Sequence, residues 1–246
     1  VSAAGNGAML LQASGAGSDV LLNANVLSTS GPISVQAEDA IVLDSSVLIQ
    51  TGGAGSVDVF AVGGSVEMAD TSRVLSSAGS LRIEAGGDIL LSNAESLAEV
   101  ALISGGSILD NGDTHRDVVA AGLLVQAGVG AGTLGNGANP LEVATDTLSA
   151  RAGAGGINLL ESNALSVGQL QVDVLRVAGD ASMATESTGE QAGVVTTQGN
   201  GSIVTRLSLI HIRLCRRPPH GIALSLPSHS KSHNHKQHVA ITATIR

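Results

Sequence analysis

The feature that most constrains this chain is a register. Met9-Leu10-Leu11-Gln12-Ala13 is followed by Ile33-Ser34-Val35-Gln36-Ala37, by Val57-Asp58-Val59-Phe60-Ala61 and by Leu81-Arg82-Ile83-Glu84-Ala85. The first residues lie at 9, 33, 57 and 81, so one segment returns every 24 residues. Each copy alternates apolar and variable positions, the pattern of a strand with one buried face. Self-similarity at a fixed period of this length marks a chain assembled from stacked equivalent units. Looser copies follow at Leu123-Leu124-Val125-Gln126-Ala127, at Leu148-Ser149-Ala150-Arg151-Ala152 and at Val174-Leu175-Arg176-Val177-Ala178-Gly179. Second apolar runs lie between them, at residues 41–43, 66–68, 89–91, 108–109 and 157–160. Glycine pairs precede several of these, as at Gly86-Gly87 and Gly155-Gly156, where a positive φ or a tight corner is expected.

Short strands joined by small polar corners at a constant period predict an all-β fold, a parallel β-helix or β-solenoid with coils of about 24 residues. Coils at the sheet spacing of about 4.8 Å would make roughly eight coils a rod on the order of 40 Å long. Composition agrees. The chain has no Trp, no Tyr and one Phe, Phe60, so its core must be thin and built from small and branched side chains. An antiparallel sandwich is the competing reading, but it rarely keeps such a register and usually carries aromatic anchors.

Charge divides the chain in two. Residues 1–206 hold all 21 acidic side chains against six Arg and no Lys, a balance of −15. Such a body argues against nucleic acid and anionic membrane surfaces as partners. It contains no Cys, and no apolar run is long enough to span a bilayer. The start at Val1, without Met or a leader, is read as the start of an internal piece of a longer protein. The uncapped ladder edges of such a piece favour end-to-end self-association.

Residues 207–246 differ abruptly. They hold six basic and no acidic side chains, six of the seven His, three of the five Pro and the only Cys, Cys215. The run LSLIHIRLCRR at 207–217 resembles a translated sequencing-library adapter, which implies that the chain from about 207 onward is not native protein. Two other readings stand beside it: a genuine disordered tail, and a tail whose His229, His233, His235 and His238 bind Zn²⁺ or Ni²⁺. The domain reading is therefore a solenoid over 1–206 and a basic, His/Pro-rich tail over 207–246, disordered or non-native.

The segments LRIEAGGDILL at 81–91, ALISGGSIL at 101–109 and GTLGNGANPLEVATDTLSARAGAGGINLLESNALSV within 131–167 resemble the filamentous-haemagglutinin-like repeats of giant bacterial exoproteins. The resemblance covers most of residues 1–206. It implies a right-handed β-helix, export to the cell surface or exterior, and a role in adhesion or matrix building, with glycans or cell and matrix surfaces as partners. Fold alone does not assign function.

No catalytic or cofactor site is read from the sequence. The richest polar cluster is Asp110-Asn111-Gly112-Asp113-Thr114-His115-Arg116-Asp117, a break in the repeat where a loop leaves the scaffold. It reads first as a solvated inter-coil loop, next as a cation site, and last as a catalytic site. A polysaccharide-cleaving enzyme would need carboxylates from different coils converging on one face. Gly15-Ala16-Gly17-Ser18-Asp19-Val20-Leu21 matches one unit of a Ca²⁺-binding nonapeptide roll, which requires consecutive units. Asp110, Asp113, Asp117 and Asp19 are thus the carboxylates that would serve a metal, with Ca²⁺ the ion implied. Without one, the function expected is a structural and adhesive stalk segment.

Overall fold

The computed structural model describes residues 1–112 and 114–205, together with the strands Ile210–Ile212 and Val239–Ala243. The described residues form strands and turns with no helix. About six turns of parallel β-solenoid stack at intervals of about 24 residues. Each turn carries three strands. In one turn these are Ile33–Ala37, Ile41–Leu43 and Leu48–Thr51, on the first, second and third faces.

The expected column exists on the first face. Met9 pairs with Ile33, Ile33 with Val57, and Val57 with Leu81. The same line continues through Val100, Leu123 and Leu148. A second inward column holds Leu11, Val35, Val59, Ile83, Leu102, Val125 and Ala150. On the third face Val26, Ile49, Val74, Ala94, Val118 and Val143 stack in register. From Ile33 onward these inward side chains are almost wholly buried. Each rung's inner face is covered only by the rungs above and below, so stability is collective. β-Branched and leucine side chains suit that pleated, closely spaced stack.

The corners explain these glycines, several of them by close approach, one of the two causes expected. Gly86 and Gly87 do not have positive φ. They are glycine because neighbouring coils touch there. A Cβ on Gly86 would lie 2.3 Å from the Val62 carbonyl oxygen, and one on Gly105 would lie 2.2 Å from that of Gly86. Gly128 and Gly153 repeat the contact one and two rungs on. Gly156 combines both causes, with φ at +80° and a Cβ that would lie 2.2 Å from the Asn200 carbonyl oxygen. At another corner, Thr51, Ser76 and Ser96 stack in register, and their buried hydroxyls donate to the Gly31, Gly55 and Gly79 carbonyls at 2.7 Å each.

The repeat breaks twice. Between the second-face strand Ile108–Asp110 and the strand Val118–Ala127, residues 111, 112 and 114–116 lie outside the ladder. Residues 168–193 leave it inside a rung. Leu148 is paired with Val167 and Ala150 with Val194, so 26 intervening residues are inserted between two ladder positions. The Gly193 N–H donates to the Gly168 carbonyl and closes the base of the insertion. Inside it, Asp173–Val177 and Met183–Ser187 form an antiparallel hairpin. The segment at 174–179, expected to be a coil strand, is thus one arm of a hairpin laid on the outside of the first face. This is one reason the stack has about six turns rather than eight.

Of the segment read as a tail, two strands are described. Ile210–Ile212 lies parallel to Leu165–Val167, and Val239–Ala243 lies antiparallel to Gly201–Thr205. The readings placed on Cys215, His229, His233, His235 and His238 lie outside the described residues.

Candidate functional site

In a stack of apolar columns, the informative positions are those where a polar side chain points inward. Two columns of apolar side chains give way to a carboxylate. The third-face column from Val26 to Val143 is topped by Glu161, which is fully buried. The protein provides for it. The Thr145 N–H lies 3.2 and 3.3 Å from its two oxygens, and the Asn163 N–H donates to Oε1 at 2.7 Å. Burial still raises its pKa above the ordinary value, against the opposing pull of those backbone donors.

The second-face column runs through Leu22, Leu43 and Met68 in register. Leu91 follows, and Asp110 is paired with Leu91. A carboxylate therefore occupies the place that Leu and Met hold in earlier rungs. Asp110 is 7% exposed. Neither of its carboxylate oxygens has a hydrogen-bond partner among the described residues, although its main-chain carbonyl accepts from Asn139 Nδ2 at 3.4 Å.

Two further carboxylates meet it. Asp117 lies at the far end of the loop and is fully buried. Glu142 lies one rung on. The Asp117 N–H donates to the Glu142 carbonyl at 2.8 Å, and the Glu142 N–H donates back to Asp117 Oδ2 at 2.7 Å. One oxygen from each of Asp110, Asp117 and Glu142 lies within 4.8 Å of the others. All the donors are hard oxygens, the set that suits Ca²⁺ or Mg²⁺ and not a soft metal.

The structure thus joins Asp110 and Asp117. Asp113, between them, lies outside the described residues. Asp19 stands apart: it is exposed at a corner, and its Oδ1 accepts the Ala40 N–H at 2.9 Å across to the next coil. Glu142 was not read from the sequence as a site residue. The signal was there, because it follows Asp117 by 25 residues, close to one coil. Carboxylates from two rungs do converge, as a polysaccharide-cleaving site requires. Yet Asp110 and Asp117 are sealed in the interior, where a sugar chain has no approach to them.

A second polar constellation lies under the hairpin. Asp58 is fully buried on the outer side of the first face. Its Oδ1 takes Arg82 Nε at 2.9 Å, and its Oδ2 takes Arg176 Nε, from the hairpin, at 2.8 Å. The Arg176 guanidinium stacks 4.2 Å from the Phe60 ring centroid, which gives the chain's one aromatic a role. Ser34 Oγ and Ser56 Oγ accept the Val177 and Leu175 N–H groups at 2.9 and 2.8 Å. Ala101, Leu124 and Val172 form a small separate core beneath the hairpin's base, with Leu170 packed against it. The Asp58–Arg82 spacing of 24 was legible as a cross-rung pair, but Arg176 was not, because only the insertion brings it there.

Among the described residues no helix is long and apolar enough to cross a membrane. Comparison with known proteins gives no matching family model, no matching curated sequence and no matching solved structure.

Proposed function

We propose that the solenoid is a structural and adhesive stalk segment of a secreted or surface-exposed bacterial repeat protein, acting without catalysis. The observation that carries this reading is the parallel register running from Met9 to Leu148 without a change of pairing direction. Such a ladder makes a stiff element whose strands are each held along their length by neighbours, and it displays long outward faces for contact with glycans or cell and matrix surfaces. The rung of Ser2–Ala3, Met9–Ala13 and Val20–Leu22 pairs on one side only among the described strands. The resemblance to filamentous-haemagglutinin-like repeats supports the adhesive part of the proposal.

The test is binding of the full chain to bacterial and host cells and to an array of surface glycans, with polysaccharide cleavage followed in parallel by release of reducing ends. Saturable binding without cleavage is expected. Absence of binding to every surface would reduce the role to a spacer, and glycan cleavage abolished by Asp110→Asn would contradict the proposal.

A further inference from the structure

The buried carboxylates of the stack are not treated alike. Glu161 ends an apolar column and is met by backbone N–H groups. Asp110 ends another, is more than nine-tenths buried, and offers two oxygens with no hydrogen-bond partner among the described residues. An unpaired charge in such a place is expensive unless something of opposite charge shares it. The neighbours that reach Asp110 are themselves carboxylates, Asp117 and Glu142, with an oxygen of each inside the same 4.8 Å sphere. Like charges so close repel, by roughly 3–4 kcal/mol per pair at an effective dielectric near 20. A cation shared by the three would offset that repulsion and give the two Asp110 oxygens a partner.

The geometry points to a calcium ion held between Asp110, Asp117 and Glu142, tying Asp110 and Asp117 to the next rung. Three carboxylates supply enough hard oxygens for the six to eight that Ca²⁺ takes, with carbonyls or water completing the shell. Calcium is favoured over magnesium by the chemistry of its shell. Ca²⁺ accepts about six to eight oxygens in an irregular shell, whereas Mg²⁺ demands a near-ideal octahedron and keeps several waters. The ion would sit where the column of Leu22, Leu43, Met68 and Leu91 stops. It would join residues on both sides of the loop, Asp110 and Asp117, to Glu142 in the next rung. This inference does not depend on the adhesive role, since it concerns only the interior of the stack.

The experiment uses the full chain, stripped with EDTA, with melting followed by circular dichroism in EDTA, CaCl₂ or MgCl₂, and calorimetric titration of CaCl₂. Calcium at a hundredfold excess over its Kd should raise the melting midpoint by roughly 5–10 °C. Asp110→Asn should bind no calcium and show no shift, while Asp19→Asn keeps both. Asp110→Leu, which continues the apolar column, should melt above the wild type in EDTA and ignore calcium. A wild-type protein indifferent to calcium, an Asp110→Asn variant that responds like the wild type, or an equal response to magnesium would each overturn the assignment. So would a metal-free protein that gains stability on acidification but not on calcium addition, since a shared proton would then be the answer. Should Asp110→Leu fail to fold, the isosteric Asp110→Asn and the calorimetry still decide.

Discussion

The stack has a regular part, from Met9 to about Ser104, and an irregular part beyond it. In the regular part, inward positions are apolar rung after rung, and the buried hydroxyls of Thr51, Ser76 and Ser96 sit at a corner where they meet glycine carbonyls. In the irregular part, two apolar columns give way to carboxylates, one loop leaves between faces, and a 26-residue insertion leaves from within a rung. The regular part can be specified by repetition alone. The irregular part needs particular partners for particular groups, and a scaffold's excursions are where specific chemistry is usually placed. The two parts also depend on each other. The hairpin inserted late in the chain returns to cover the outside of early rungs, with Arg176 reaching Asp58 across 118 positions.

The largest effect should come from importing the irregular part's chemistry into the regular one. Ile83 is fully buried between Val59 and Leu102. Ile83→Asp should cost upward of about 4–5 kcal/mol and abolish cooperative unfolding in urea, since no donor or cation awaits the charge. If Ile83→Asp folded normally, the distinction between the two parts would collapse. Next comes the joint between them. Asp58→Ala leaves Arg82 and Arg176 facing each other and should cost about 3–5 kcal/mol, with new proteolytic cleavage inside 168–193 as the hairpin lifts. Unchanged protease resistance would show that the serine contacts hold the hairpin unaided.

A smaller effect is expected at the corners. Gly105→Ala puts a methyl group against the Gly86 carbonyl and should cost about 1–3 kcal/mol by urea titration. A neutral result would mean that adjacent rungs are less tightly spaced than described. The smallest concerns Glu161. Its pKa is raised in the folded state by burial, so the folded protein holds that proton more tightly than the unfolded chain. The sign follows: its favourable contribution is present at low pH and is lost as pH rises from the ordinary value of 4.5 through the folded value. Relative to Glu161→Gln, the wild type should lose stability over that window, at no more than about 1.4 kcal/mol per pH unit. Parallel curves for the two would contradict the burial argument.

Much of the regular part was legible in the sequence. Alternation inside each five-residue segment gives the strand, and the interval of 24 gives the partner, so Met9, Ile33, Val57 and Leu81 could be placed in one column before any coordinates. The glycine corners were legible in position but not in cause, because a close approach between rungs leaves no local mark that separates it from a positive φ. Val174-Leu175-Arg176-Val177-Ala178 was misread because a hairpin arm packed on a sheet alternates as a coil strand does. What distinguishes them is the ladder partner, Met183–Ser187 rather than an adjacent rung, and that is a long-range fact. The carboxylate site was half legible. Asp110 and Asp117 flank an obvious break, but Glu142 sits in an ordinary-looking strand and becomes a site residue only when laid over Asp117.

The central claim is that equivalent residues of successive coils stand directly over one another. Paired spin labels, with Cys215 replaced by Ser, measure this most directly. Outward positions Leu21 and Leu109 are four rungs apart through Val42, Glu67 and Leu90. Ser2 and Val119 are five rungs apart through Leu27, Gln50, Leu75 and Glu95. The stack predicts narrow distance distributions centred near about 19 and 24 Å, at about 4.8 Å per rung. Broad distributions, or distances that do not grow by one sheet spacing per coil, would contradict it.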